Sequence, residues 1–123
     1  YFHASDELAT YSQSTGKFIT SDGTSYTGYS GNGEGLNNPD KESVAFVGPI
    51  PKGEYTVTST NTSKGPTTLV LTPAASNKMH GRNGFLIHGD NKKGDYSASE
   101  GCIVVGPEAR KQIKVGDKIV VTK

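Results

Sequence analysis

The sequence is short of what builds a large or stapled core. It has no tryptophan, one methionine and one cysteine in 123 residues, and only 32% of those residues are hydrophobic. A lone cysteine excludes an intramolecular disulfide. The charges nearly balance, 13 Lys and Arg against 12 Asp and Glu, and no basic cluster occurs, so nucleic acid is not expected as a partner. No apolar run has the length needed to cross a bilayer. The chain starts at Tyr1 rather than Met, so an upstream segment, with any targeting information in it, is expected to have been removed.

What the sequence does have is glycine, 16 residues of it, and many Thr, Ser and Tyr, a balance that favours short strands and turns over long helices. Its length predicts one domain, residues 1–123, able to bury an adequate core. Leu8 to Ser12 and Lys17 to Thr20 flank Ser14-Thr15-Gly16 and read as a hairpin, with a further strand over Ser25 to Tyr29. Residues 30–43 are too rich in Gly and Asn for regular structure and form a loop, either solvated or facing a substrate, where Asn37 and Asn38 could bind peptide groups. Val44 to Val47 reads as a strand, and Tyr55 to Thr60 with Thr67 to Thr72 as a hairpin. Gly84 to Ile87 and Cys102 to Val105 are buried strands, and Lys118 to Thr122 is a closing one. Pro107 opens one or two helical turns within residues 107–113. The expected architecture is mostly β: a barrel or sandwich of short strands, with one short helix after the cysteine.

The chain's chemistry concentrates between Ile87 and Ile103. His88 ends one apolar run, and Cys102 begins another across a polar loop. That is the arrangement a Cys–His nucleophilic site needs: an imidazole takes the thiol proton and later returns it to a leaving amine. The amides of Gly101 and Cys102 could form an oxyanion hole. Each residue also has a plainer reading, Cys102 as core and His88 as a hydrogen-bonded strand end. Asp90 could orient His88 or cap the loop. Arg82 could clamp a carboxylate or be a surface arginine. His80 and His3 have no evident partner and read as surface residues. His80, His88, Asp90 and Cys102 fit no standard metal-ligand spacing, so neither a metal nor another cofactor is expected.

These motifs resemble a known family. Ile87-His88-Gly89 followed by Ser99-Glu100-Gly101-Cys102-Ile103 resembles the L,D-transpeptidase signature, in which a His-Gly pair is followed by Ser/Thr-His-Gly-Cys. Pro51-Lys52-Gly53-Glu54-Tyr55 is similar to a second family segment, Pro-x-Gly-x-Phe/Tyr, in the same order along the chain. Residues 11–38, with Gln13-Ser14-Thr15-Gly16 and Gly28-Tyr29-Ser30-Gly31-Asn32-Gly33, look like one branch, the small peptidoglycan effectors of type VI secretion systems. The resemblance implies Cys102 as nucleophile, His88 as base, the Gly89 carbonyl as the group orienting the imidazole, and Ser99 and Gly101 as support for the loop. Arg82, Asp90, Tyr29, Asn37, Asn38 and Glu100 are the candidate substrate contacts; Glu100 stands where the housekeeping enzymes carry a second histidine.

The implied substrate is the peptidoglycan stem tetrapeptide. Its terminal D-alanine would be released to water or exchanged for a D-amino acid through a thioester on Cys102. The implied setting is a secreted monomer acting in the periplasm of a rival bacterium, countered by an immunity protein in the producer. The rivals are a non-catalytic wall-binding module and a Cys–His peptidoglycan endopeptidase or amidase.

Overall fold

A computed structural model describes residues 7–123; His3 lies outside them. The elements run β1 (Leu8–Ser12), β2 (Lys17–Ile19), β3 (Ser25–Thr27), β4 (Tyr29–Ser30), β5 (Gly53–Asn61), β6 (Thr68–Pro73), β7 (Leu86–His88), β8 (Ile103–Val104), α1 (Pro107–Arg110) and β9 (Lys118–Thr122). Alternation decides which face each strand buries. Ala9 and Tyr11 of β1, Tyr55 and Val57 of β5, Leu69 and Leu71 of β6, and Ile119 and Val121 of β9 point into one core with Phe18, Ile87 and Ile103. Their neighbours along each strand are mostly Thr, Ser, Lys and Glu, which accept solvent.

Among the described residues, all nine strands join one sheet in the order β3-β2-β1-β9-β5-β6-β7-β8-β4. Its two ends, β3 and β4, are consecutive in the chain and separated only by Gly28. The sheet therefore curls round into a nearly closed barrel, with Gly28 as its corner. A Cβ there would lie 2.1 Å from the Val104 carbonyl oxygen, so only glycine lets the chain turn this close to β8. The sequence-predicted strand over Ser25 to Tyr29 is divided at this corner into β3 and β4.

Two pairings are parallel. β9 lies between β1 and β5, parallel to the former and antiparallel to the latter. β7 and β8 are also parallel, so residues 89–102 must cross from the end of one to the start of the other. That crossover is the loop that ends in Cys102.

Val44 to Val47 is not a strand. Val44 N–H donates to the Lys41 carbonyl and Gly48 N–H to the Val44 carbonyl, which folds the segment into turns. Phe46 has φ 65° and is 69% exposed. The apolar residues misled because no buried face awaits them; close packing of Gly48 on the Lys41 carbonyl keeps the chain from extending. Residues 30–43 are more ordered than expected. They hold two 3-10 turns, Gly33–Gly35 and Pro39–Lys41, the second capped by Asn38 Oδ1, which accepts from the Asp40 N–H at 3.1 Å.

Candidate active site

The β7–β8 register sets the central geometry. Ile87 faces Ile103 and His88 faces Val104. One residue further back, Cys102 stands beside Leu86, so Cys102 and His88 project from the same face of neighbouring strands, on a diagonal. The Leu86 backbone N–H favours the thiolate of Cys102.

His88 is buried, with its Nδ1 2.8 Å from the carbonyl oxygen of Gly89. A carbonyl only accepts, so the proton of the neutral ring sits on Nδ1 and the lone pair is left on Nε2, the nitrogen of a base. Asp90 does not share this task. Its Oδ1 accepts from the Tyr29 hydroxyl at 2.7 Å and from the Asn91 N–H at 2.9 Å, which caps the loop. The Tyr29 hydroxyl in turn accepts from the Ala98 N–H at 3.1 Å.

Burial pushes the Cys102 thiol up, against the opposing pull of the Leu86 N–H and Lys64, with Glu100 adding to the rise. Burial also lowers His88; the Gly89 carbonyl opposes this, and the cations of Lys64 and Arg110 reinforce it. Both shifts favour the uncharged thiol and the uncharged imidazole over a thiolate–imidazolium pair.

Ser99 holds the turn that presents the cysteine. Its buried hydroxyl donates to the Cys102 carbonyl at 2.6 Å and accepts from the N–H groups of Gly31 and Gly101 at 2.9 and 3.1 Å. The Gly101 N–H is thus already bonded, and of the two amides expected in an oxyanion hole only that of Cys102 remains. Gly101 itself has φ 131°, and a Cβ on it would meet Arg82 Nη2 at 2.5 Å.

Arg82 is neither a surface residue nor a carboxylate clamp. Nη1 donates to the carbonyls of Glu42 and Pro49, and Nη2 to those of Gly48 and Glu100. These four bonds use all four η hydrogens, so no fork is left for a substrate carboxylate. The guanidinium instead ties the Gly48–Pro49 segment to the cysteine loop. Asn37 and Asn38 also turn inward: Asn37 Oδ1 accepts from the Ser30 N–H at 3.2 Å, and Asn38 Nδ2 donates to the Glu34 carbonyl at 3.0 Å. These bonds shape the loop.

His80 is not isolated. Its Nε2 lies 3.0 Å from Glu42 Oε2, while Glu42 Oε1 accepts from Gln13 Nε2 and from both the amide and the ammonium of Lys52. Burial raises Glu42, but these four donors outweigh it and hold the carboxyl down at about 2. Among the described residues, no three His, Cys, Asp or Glu side chains come close enough together to hold a metal ion.

Two cavities flank the pair. One, of about 400 Å³, is lined by Cys102, Leu86, Phe85 and Phe46; the other, of about 370 Å³, by His88, Asp90, Asn91 and Ser97. Lys64, from the β5–β6 turn, and Glu100 line both, so opposite charges stand where the cavities meet. Phe46 and Lys64 were not expected from the sequence. Phe46 sat in a misread strand, and Lys64 is one of many lysines with no local motif around it.

The barrel has the L,D-transpeptidase fold. L,D-transpeptidase 1 of Mycobacterium tuberculosis superposes with a TM-score of 0.59 at 18% identity, over 97% of this chain and 60% of that one. An L,D-transpeptidase from Xylanimonas cellulosilytica gives 0.59 at 16%, over 98% and 62%. L,D-transpeptidase 3 of M. tuberculosis, solved with a faropenem-derived adduct, gives 0.56 at 16%, over 95% and 60%. The chain spans less than two thirds of the length of these proteins. No curated protein matches it in sequence. Residues 24–122 match the Tlde1 domain, and the chain belongs to that family. Among the described residues, no helix is long and apolar enough to cross a membrane.

Proposed function

We propose that this domain is a cysteine enzyme of peptidoglycan stem tetrapeptides, an L,D-carboxypeptidase that also exchanges the terminal D-alanine. The observation that carries the reading is the tautomer set by Gly89: it leaves Nε2 of a buried imidazole unprotonated on the sheet face that Cys102 shares. Membership of the Tlde1 family and the L,D-transpeptidase fold support the substrate class.

Cys102 Sγ attacks the carbonyl of the third stem residue while its proton passes to His88 Nε2. Because thiol and imidazole are both uncharged at rest, proton transfer accompanies attack. The developing oxyanion takes the Cys102 N–H, the amide that Ser99 leaves open. His88 returns the proton to the D-alanine nitrogen, the C–N bond breaks, and a thioester remains on Cys102. Water then gives the tripeptide; the amine of a D-amino acid gives the exchanged tetrapeptide. The apolar cavity beside Cys102 and the polar one beside His88 suit a peptide lying across the pair.

The family suggests a secreted effector, and we extend this to a monomer acting in the periplasm of a target cell and blocked in its producer by an immunity protein. The test is mass spectrometry of a purified disaccharide-tetrapeptide incubated with the protein, with and without D-methionine, beside Cys102→Ala. Loss of one alanine, and a swapped terminus when D-methionine is present, both absent in the variant, is the expected result. An unchanged tetrapeptide that still co-sediments with the protein would replace the reading with a wall-binding module.

A further inference from the structure

A third cavity, of about 450 Å³, adjoins the His88 cavity. Its walls include Tyr29, Tyr96, Asp90 and Arg110, and it meets the His88 cavity along Gly89 and Asp90, which line both. Arg110 is only 9% exposed. Its Nε donates to the Val105 carbonyl at 3.0 Å, and Nη1 to those of Pro66 and Thr67 at 2.7 and 3.3 Å. Nη2 has no protein partner among the described residues, and no carboxylate there pairs with the guanidinium. A Cβ built on Gly89 would meet this same Nη2 at 2.7 Å, so the free end of the guanidinium faces the Gly89 backbone that walls the cavity. Nη2 is itself open rather than buried, so its free donors are available to an anion in the cavity.

The opposite charge is built in on the same wall. Asp90 has Oδ1 engaged by the Tyr29 hydroxyl and the Asn91 N–H, and Oδ2 without a bond among the described residues. Tyr96 is 57% exposed and packs edge-on against Tyr29, with ring centroids 5.1 Å apart, leaving an apolar flank. One ligand class satisfies all three features at once. We infer that this cavity binds a free α-amino acid, its carboxylate on Arg110 Nη2, its ammonium at Asp90 Oδ2 and its side chain against Tyr96. A plain carboxylate would meet repulsion from the exposed Asp90, and a plain amine would meet repulsion from Arg110.

The part such a ligand plays in exchange rests on the function proposed above, whereas its binding does not. With a thioester on Cys102, the ammonium releases one proton to solvent, and the neutral amine moves from Asp90 into the adjoining His88 cavity and attacks the thioester carbon. The C–S bond breaks, an amide forms, and the amine proton travels through His88 to the Cys102 sulfur. A resident amino acid would thus favour exchange over hydrolysis.

Titration of D-methionine into the Cys102→Ala protein, followed by ¹H–¹⁵N NMR, tests binding without turnover. The expected result is saturable shifts at Gly89, Tyr96 and Arg110 Nε. N-acetyl-D-methionine, which lacks the ammonium, should bind about tenfold or more weakly, as one lost charge-assisted hydrogen bond predicts. Asp90→Asn keeps the Oδ1 cap and should weaken D-methionine by a similar factor while leaving N-acetyl-D-methionine unweakened. Arg110→Lys should weaken both ligands. Because Arg110 also braces three carbonyls, the isosteric Asp90→Asn decides if Arg110→Lys fails to fold. Absence of saturable shifts, or equal binding of the two ligands with Asp90→Asn without effect, overturns the inference. Binding in the absence of any tetrapeptide turnover would instead remove the proposed reaction and leave the site standing.

Discussion

The carbonyl oxygen of Gly89 lies 2.8 Å from Nδ1 of His88, so the residue that orients the ring is the ring's own successor in the chain. A backbone group in this role cannot be deleted by mutation, but it can be displaced. Gly89→Ala brings a Cβ against Arg110 Nη2 at 2.7 Å, and either the guanidinium or the Gly89 carbonyl must shift. The expected result is a fall in kcat of about tenfold or more, since a misplaced general base forfeits part of its roughly hundredfold or greater contribution. ¹⁵N NMR of the imidazole should show the Nδ1–H tautomer losing its dominance.

The pH dependence follows from two opposite shifts. His88 sits below the ordinary imidazole value and Cys102 above the ordinary thiol value. The proposed mechanism needs an unprotonated imidazole, so the acid limb of kcat/KM should fall below about pH 6.5 rather than at it. Iodoacetamide labelling of the free enzyme should be slow at neutral pH and rise only above the ordinary thiol range. A labelling rate already at its plateau at pH 7 would show a resting thiolate and contradict the uncharged pair.

Ser99→Ala should unfold the cysteine turn first. It removes one acceptor that serves two N–H groups and one donor that serves the Cys102 carbonyl. Buried polar groups left without partners cost about 1–3 kcal/mol each, so with partial relaxation a loss of about 3 kcal/mol is expected. Calorimetry should then show Tm lower by roughly 10 °C. Activity at a temperature where the variant is folded should fall as well, because the Gly101 N–H and Cys102 carbonyl are no longer fixed.

Glu42→Gln probes a stability term far from the chemistry. The folded carboxyl is held at about 2, below its unfolded value. Its contribution is therefore complete above the ordinary carboxylate range, near pH 4.3, and drains away as pH falls through the folded value. The Tm gap between native protein and variant should be widest at neutral pH and should close as pH approaches 2. A gap that stayed constant to that acidity would mean the four donors to Glu42 contribute through shape rather than charge.

The parts of the molecule legible in its sequence are those coded locally. Alternation in β5, β6 and β9 marked their buried faces, and the His-Gly and Gly-Cys pairs lie at the end of β7 and just before β8, two strands that pair. Arg82 was misjudged because its four acceptors are backbone carbonyls of Glu42, Gly48, Pro49 and Glu100, and a carbonyl carries no mark of identity in a sequence. Glu42 and His80 are 38 residues apart and meet only because the barrel closes. Val44 to Val47 looked like a strand since apolar run length cannot register a neighbouring glycine pressed onto a carbonyl.

β9 holds the centre of the sheet, hydrogen-bonded to β1 on one side and to β5 on the other. Its five residues, Lys118–Thr122, are the keystone of the circuit. Without them β1–β3 have no link to β5–β8 within the sheet, and Gly28 has no closed circuit to complete. A chain cut after Gly116 would be an unjoined pair of half-sheets, so the scaffold under His88 and Cys102 stands or falls with one strand that carries none of the chemistry.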